Sequence, residues 1–135
     1  MALVLLGVAC GGGVGSGGSL QVIEREFSIS AVPGRLDNGA IKFHLDNAGR
    51  IEHEFLILKT DLPETKLPLK PGEGPGGDQV DLLGSGIEVV EYNEKEIASN
   101  SVLDFDLTLP PGRYVLICNR PGHYVQGMHV TLVLG

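Results

Sequence analysis

Three stretches of this 135-residue chain alternate between apolar and polar side chains, and that alternation most constrains the fold. In AIKFHLDN, Ile41, Phe43 and Leu45 fall on one face, with Lys42, His44 and Asp46 opposite. VLDFDLTL sets Leu103, Phe105, Leu107 and Leu109 against Asp104, Asp106 and Thr108. VIEREFSIS sets Ile23, Arg25, Phe27 and Ile29 against Val22, Glu24, Glu26 and Ser28. A period of two sends successive side chains to opposite sheet faces, so these segments predict strands with one face on a core and one in water. HEFLIL, RYVLIC and MHVTLVLG are more continuously apolar and add further strands. Pro33-Gly34, Asp37-Asn38-Gly39, Asn47-Ala48-Gly49 and Pro110-Pro111-Gly112 supply the turns between them. The prediction is an all-β sandwich of about six to eight strands in one domain.

Charge and cysteine use remove whole classes of function. Seventeen acids against ten bases leave a net charge of −7, which repels nucleic acid and gives no basic surface for an anionic membrane. Two cysteines, Cys10 and Cys118, are too few for a disulfide scaffold and too far apart for a CxxC zinc module. Residues 59–98 carry nine acids against four bases and four Pro, and so supply −5 of the −7. They read as an acidic crossing loop between sheets or as a partner-docking surface. Their last part, VVEYNEKEIA, is compatible with a turn of helix or an edge strand.

The N-terminus reads as a targeting segment. Residues 2–9, ALVLLGVA, are too short to span a bilayer but suit the apolar part of a secretory signal. Small residues before Cys10 and a Gly/Ser tract after it resemble a bacterial lipoprotein signal. That resemblance implies lipidation at Cys10 and a flexible tether. The domain organisation is therefore a signal remnant at 1–9, a tether at 10–20 and a folded domain at 21–135. The protein is expected to be exported to a periplasmic or other extracytoplasmic site, anchored to the membrane only through Cys10.

The chemistry concentrates near the C-terminus, where Cys118, His123 and Met128 follow a Cys-x4-His-x4-Met spacing. Thiolate, imidazole and thioether together suit copper that cycles between Cu(I) and Cu(II). A trigonal plane needs a second imidazole, and His53 is the best candidate because it opens the strand HEFLIL after a turn. Met128 is then the long, weak axial ligand. Cys118 ends one strand and Met128 opens the next, so the loop between them gathers Cys, His and Met at one end of the sandwich.

The segments Asn47-x-Gly49-x-x-x-His53-x-Phe55 and Pro111-Gly112-x-Tyr114-x-x-x-Cys118, with the ligand loop, resemble those of the cupredoxins, the small blue copper proteins. The spacing is most similar to that of auracyanin and rusticyanin. The resemblance covers residues 21–135. It implies a Greek-key β-sandwich and one type 1 copper held by His53, Cys118, His123 and Met128. It also implies Asn119 as a hydrogen-bonding group near the sulfur. Tyr114 is expected to pin a sandwich corner through its hydroxyl. Tyr124 and Pro121 are expected to rim an exposed edge of His123, while Glu52 and Glu54 face solvent. His44 and His129 read as structural or exposed.

These residues predict a monomeric one-electron carrier, not an enzyme, exchanging electrons with redox proteins such as a cytochrome or a copper-oxidase-type acceptor. An enzyme with a second copper centre needs more histidines than His44 and His129 can supply. The alternative is a copper chaperone or storage protein, but those use several Met or paired Cys, and the domain holds Cys118 and Met128 alone.

Overall fold

Alternating strands need a second apolar face to cover them, and the chain provides it with a second sheet. The computed structural model describes residues 15–135; the expected signal at 1–9, Cys10 and the first part of the tether lie outside the described residues. In chain order the elements are β1 (Gly18–Arg25), β2 (Ser28–Val32), β3 (Arg35–Leu36), β4 (Gly39–Asn47), β5 (His53–Lys59), β6 (Leu69–Lys70), β7 (Gln79–Val80), β8 (Glu88–Ile97), β9 (Ser101–Leu109), β10 (Gly112–Ile117), α1 (His123–Gln126) and β11 (His129–Leu134). One sheet has the order β2-β1-β4-β9 and the other β3-β11-β10-β5-β8, with β6 and β7 paired apart from both. The β1–β4 and β3–β11 pairs are parallel and the rest antiparallel. The chain crosses repeatedly between the sheets, as in the expected Greek-key β-sandwich.

The two inner faces make the main core. Ile41, Phe43 and Leu45 are buried as their alternation requires, against Phe55, Ile57, Tyr114 and Leu116 of the second sheet. Phe43 stacks on Phe105 with ring centroids 4.8 Å apart. The Tyr114 hydroxyl donates to the Pro110 carbonyl at 2.7 Å and pins the β9–β10 corner.

HEFLIL and RYVLIC are continuously apolar because both faces of their strands are covered. Leu56, Leu58, Val115 and Ile117 point away from the main core, yet none has exposed surface. Leu67, Val80 and Tyr124 pack over them. Each such aliphatic side chain contributes about 1.5–3 kcal/mol by leaving water. Part of residues 59–98 is therefore a covering layer rather than a solvated crossing. VVEYNEKEIA lies mainly in β8, the edge strand, rather than in a turn of helix.

Two other boundaries differ from the sequence reading. VIEREFSIS is not one strand: Arg25 pairs with Ser28, and Glu26-Phe27 turns the chain from β1 into β2. No Gly, Pro, Asn or Asp marks that turn. Strand β1 also begins inside the expected tether, because Gly18–Leu20 pair with Ile41–Phe43 and Leu20 is buried.

The covering layer is joined to the ligand loop by Asn119. The Val80 N–H donates to Asn119 Oδ1 at 2.8 Å, and Asn119 Nδ2 donates to the Val80 carbonyl at 3.1 Å. Gln79 Nε2 donates to the Asn119 carbonyl at 2.5 Å, and the Gly122 N–H donates to the Asp78 carbonyl at 2.9 Å. Asn119→Ala leaves two buried backbone groups of Val80 unpaired and is expected to cost about 1–3 kcal/mol. A lowered urea midpoint checks this, and an unchanged midpoint would show that the clamp contributes nothing.

Glu24 is a fully buried carboxyl on the inner face of β1, and neither oxygen meets a hydrogen-bond partner among the described residues. Burial, with the nearby charge of Glu54, pushes its pKa up to about 8. The unfolded chain loses this proton near pH 4.5 and the folded chain near 8. Between those values the folded state binds more protons, so stability falls as pH rises through that window and levels off above it. Glu24→Gln is expected to remove this decline, by on the order of a few kcal/mol at pH 8.5. Denaturation of the metal-free proteins at pH 5 and 8.5 checks it; parallel losses in both would assign the decline elsewhere.

Candidate metal centre

His53 opens β5 and Cys118 directly follows β10. These strands are antiparallel neighbours with Leu56 opposite Ile117, so the start of one lies beside the end of the other. The chain then leaves the sheet, turns through α1 and returns as β11, and α1 begins at His123. The single helical turn, which the period-two reading did not anticipate, places His123 over the gap between His53 and Cys118.

The three donor atoms form a tight triangle. His53 Nδ1 is 3.3 Å from His123 Nδ1, and Cys118 Sγ is 3.8 Å from the former and 3.4 Å from the latter. A point equidistant from all three lies about 2.0 Å from each, the length of a bond from a first-row metal to nitrogen. His53 and Cys118 have no exposed surface, and His123 retains 8%. One soft sulfur and two imidazole nitrogens, buried and convergent, fit copper.

The loop is held by its own backbone. The Cys118 N–H donates to the Met128 carbonyl at 3.2 Å, and the Met128 N–H to the His123 carbonyl at 3.1 Å. The Met128 side chain is fully buried in the same core cluster as Cys118. Cys118 Sγ accepts from the Glu54 N–H at 3.3 Å. On the other side, Asn47 Nδ2 donates to the Ile51 and Ile97 carbonyls, and its Oδ1 accepts from the Gly49 N–H, which shapes the turn into His53.

Burial sets the electrostatics. It pushes the Cys118 thiol up to about 12, against the opposing pull of the Arg120 and Glu54 backbone N–H groups. It also lowers the pKa of both histidines; Glu26 opposes this at His53, while His53 and Arg120 reinforce it at His123. Two neutral imidazoles and a thiol that keeps its proton hold no net charge until a cation draws the thiolate out.

Several expectations need correction. Asn119 does not turn to the sulfur: its amide is taken up by Val80, and the sulfur's side of the site is served by backbone N–H groups. Tyr124 is no rim residue, because its ring is buried, its hydroxyl donates to the Glu64 carbonyl at 2.6 Å, and it accepts from the Leu67 N–H at 3.1 Å. Phe27 takes that place: its ring meets His123 edge-on at 5.0 Å and remains 36% exposed. Glu52 is exposed and lies 3.5 Å from Arg120 Nη1, which is also 3.0 Å from Glu96, an ionic contact without hydrogen-bond alignment. Glu54 is half-buried rather than solvent-facing. His44 pairs with Asp104 on the outer face of the first sheet, and His129 pairs with Glu64, so neither joins the triangle.

The sequence reading also missed a contact at His53. The carboxylate of Glu26, in the β1–β2 turn, lies 3.0 Å from His53 Nε2 and accepts from the Arg50 and Ile51 N–H groups. The Arg50 N–H is the main cause that holds its pKa down to about 2. The signal was Gly49: a Cβ there would collide with Glu26 Oε1 and come within 3.0 Å of His53 Nε2.

Known proteins share this architecture. Reduced auracyanin from the photosynthetic bacterium Roseiflexus castenholzii superposes with a TM-score of 0.54 at 14% identity, over 91% of this chain and 99% of that one. Azurin from Methylomonas sp. strain J gives 0.52 at 12% identity, over 87% and 97%. Rusticyanin from Thiobacillus ferrooxidans gives 0.50 at 17% identity, over 87% and 77%. At such identities the likeness speaks for the fold, which is that of the cupredoxins. No curated protein matches the chain in sequence. The sulfocyanin (SoxE) domain matches residues 32–135, well over half the chain and all three residues of the triangle, and the chain belongs to that family.

Proposed function

We propose that this protein is a one-electron carrier in the cell envelope, built around a single type 1 copper. His53, Cys118 and His123 would form the trigonal plane, with Met128 as the weak axial ligand. The observation that carries this reading is the triangle of donor atoms at 3.3–3.8 Å, fixed by the ends of neighbouring strands. Bound there, copper supplies the Cu(II)/Cu(I) couple.

The residues do the rest by holding still. Cys118 is tied to Met128 and Met128 to His123 through backbone hydrogen bonds, which would hold these three side chains in place as an electron comes and goes. Burial excludes water from His53 and Cys118 and leaves the edge of His123, flanked by Phe27, as the approach for a redox partner. The partner would be a cytochrome or copper-oxidase-type protein, drawn to an acidic surface. Chaperone or storage duty fits less well, because an ion to be handed over needs ligands within reach of the acceptor. The organisation that goes with this role is an export signal at 1–9, a lipid anchor at Cys10 and a tether leading into the folded domain.

Adding Cu(II) to the purified domain is expected to give an intense blue thiolate-to-copper absorption and a reversible one-electron wave. Cys118→Ser should abolish the colour. A colourless wild type, or colour that survives Cys118→Ser, overturns the assignment, while tight colourless Cu(I) binding would favour storage. Met128→Leu should keep the blue band and raise the potential by at least about 60 mV, a tenfold change in relative affinity for a one-electron couple. An unchanged potential would remove Met128 from the ligand set.

A further inference from the structure

We infer that Glu26 is a positioning residue for the metal centre: its carboxylate fixes the tautomer of His53, aims the Nδ1 lone pair at the ion and makes that imidazole a stronger donor. This inference rests on the copper reading above. It starts from the order of contacts along one line. Cys118 Sγ and His123 Nδ1 face His53 Nδ1, while Glu26 Oε1 faces His53 Nε2 at 3.0 Å on the opposite edge of the same ring. A neutral imidazole carries one N–H. Glu26 accepts at Nε2, so the proton sits there and Nδ1 is left free for the ion.

The carboxylate is itself held in place. Arg50 N–H lies 2.9 Å from both of its oxygens and Ile51 N–H 3.1 Å from Oε1. The donors belong to the turn that carries His53, so Glu26 joins the β1–β2 turn to the β4–β5 turn across the end of the sandwich. A quarter of its side chain remains exposed, which lets it stay ionised without a buried counterion. Gly49 completes the arrangement, since any side chain there would occupy the space that the Glu26–His53 contact uses. Among the carboxylates near the site, Glu52 instead faces Arg120 and has no contact with an imidazole among the described residues. Negative charge delivered through His53 favours the more positive oxidised ion, so Glu26 lowers the reduction potential.

The test compares wild type, Glu26→Gln, Gly49→Ala and, as a control for general charge, Glu52→Gln. A carboxylate behind a ligand histidine typically contributes about 10- to 100-fold in metal affinity. Glu26→Gln is expected to lose that factor for Cu(II) more than for Cu(I). If the loss falls on Cu(II) alone, the potential rises by about 60 to 120 mV for one electron. Gly49→Ala should shift it in the same direction and Glu52→Gln by much less. In the metal-free protein, nitrogen-15 NMR should find His53 protonated on Nε2 in the wild type and a mixture of tautomers in Glu26→Ala, which, unlike Glu26→Gln, keeps no side-chain oxygen to accept from Nε2. Equal potential shifts in Glu26→Gln and Glu52→Gln, or a His53 tautomer unmoved by Glu26→Ala, overturn the role of Glu26. A wild type that never turns blue overturns the copper reading instead, and the metal-free NMR still decides the placement of the proton.

Discussion

The pairing of β5 with β10 is the interaction on which the metal centre depends. Leu56 opposite Ile117 sets the start of one strand beside the end of the other, and that register brings His53 next to Cys118. A slip by one residue would reverse every side chain of a strand whose neighbours are fixed. Here the slip is resisted on both faces, since Phe55 and Ile57 fill the inner core while Leu56 and Leu58 fill the outer one. Apolar burial along the middle of two strands thus fixes polar chemistry at their ends.

The covering layer is part of the same logic. A second sheet buried on one face would leave Leu56, Leu58, Val115 and Ile117 in water. Residues between β5 and β8 close over them with Leu67 and Val80, and Tyr124 of α1 joins from the ligand loop. The Tyr124 hydroxyl is bonded to the backbone of Glu64 and Leu67, and Asn119 to that of Val80. The residue after each of two expected ligands, Cys118 and His123, therefore fastens the loop to a segment whose composition reads as an acidic linker. Asp61, Glu73 and Asp78 of that segment are exposed, and Leu67 and Val80 among them do the covering.

Much of this was legible in the sequence because it follows from periodicity and residue chemistry. Ile41, Phe43 and Leu45 alternate and are buried; Tyr114 sits four residues after Pro110 and bonds its carbonyl; His53, Cys118 and His123 carry the donor atoms and converge. What stayed hidden depends on contacts between segments far apart in the chain. The Glu26-Phe27 turn carries no turn residue, and its two side chains meet His53 and His123, 27 and 96 positions away. Asn119 faces Val80, 39 positions back, because the covering layer folds over the outer face of β5 and β10, which no local pattern encodes.

Glu24 and Glu26 show the limit most plainly. They lie two apart, on the same face by period two, in a stretch that hydropathy reads as one strand. Glu24 is fully buried without a partner and is pushed up to about 8, whereas Glu26 sits past the strand's end, meets backbone donors and an imidazole, and falls to about 2. The difference is the turn between them and the sandwich end. Within the strand, the inner face offers the carboxyl no hydrogen-bond partner among the described residues, and burial with the nearby charge of Glu54 favours its protonated form. Beyond it, the β4–β5 turn presents unpaired N–H groups that a carboxylate can accept from. The same boundary, where strand pairing stops and free backbone donors begin, is where Glu54 N–H reaches the Cys118 sulfur. Sandwich ends collect chemistry because ladder pairing has run out there, and the donors left over are held rigid by the strands behind them.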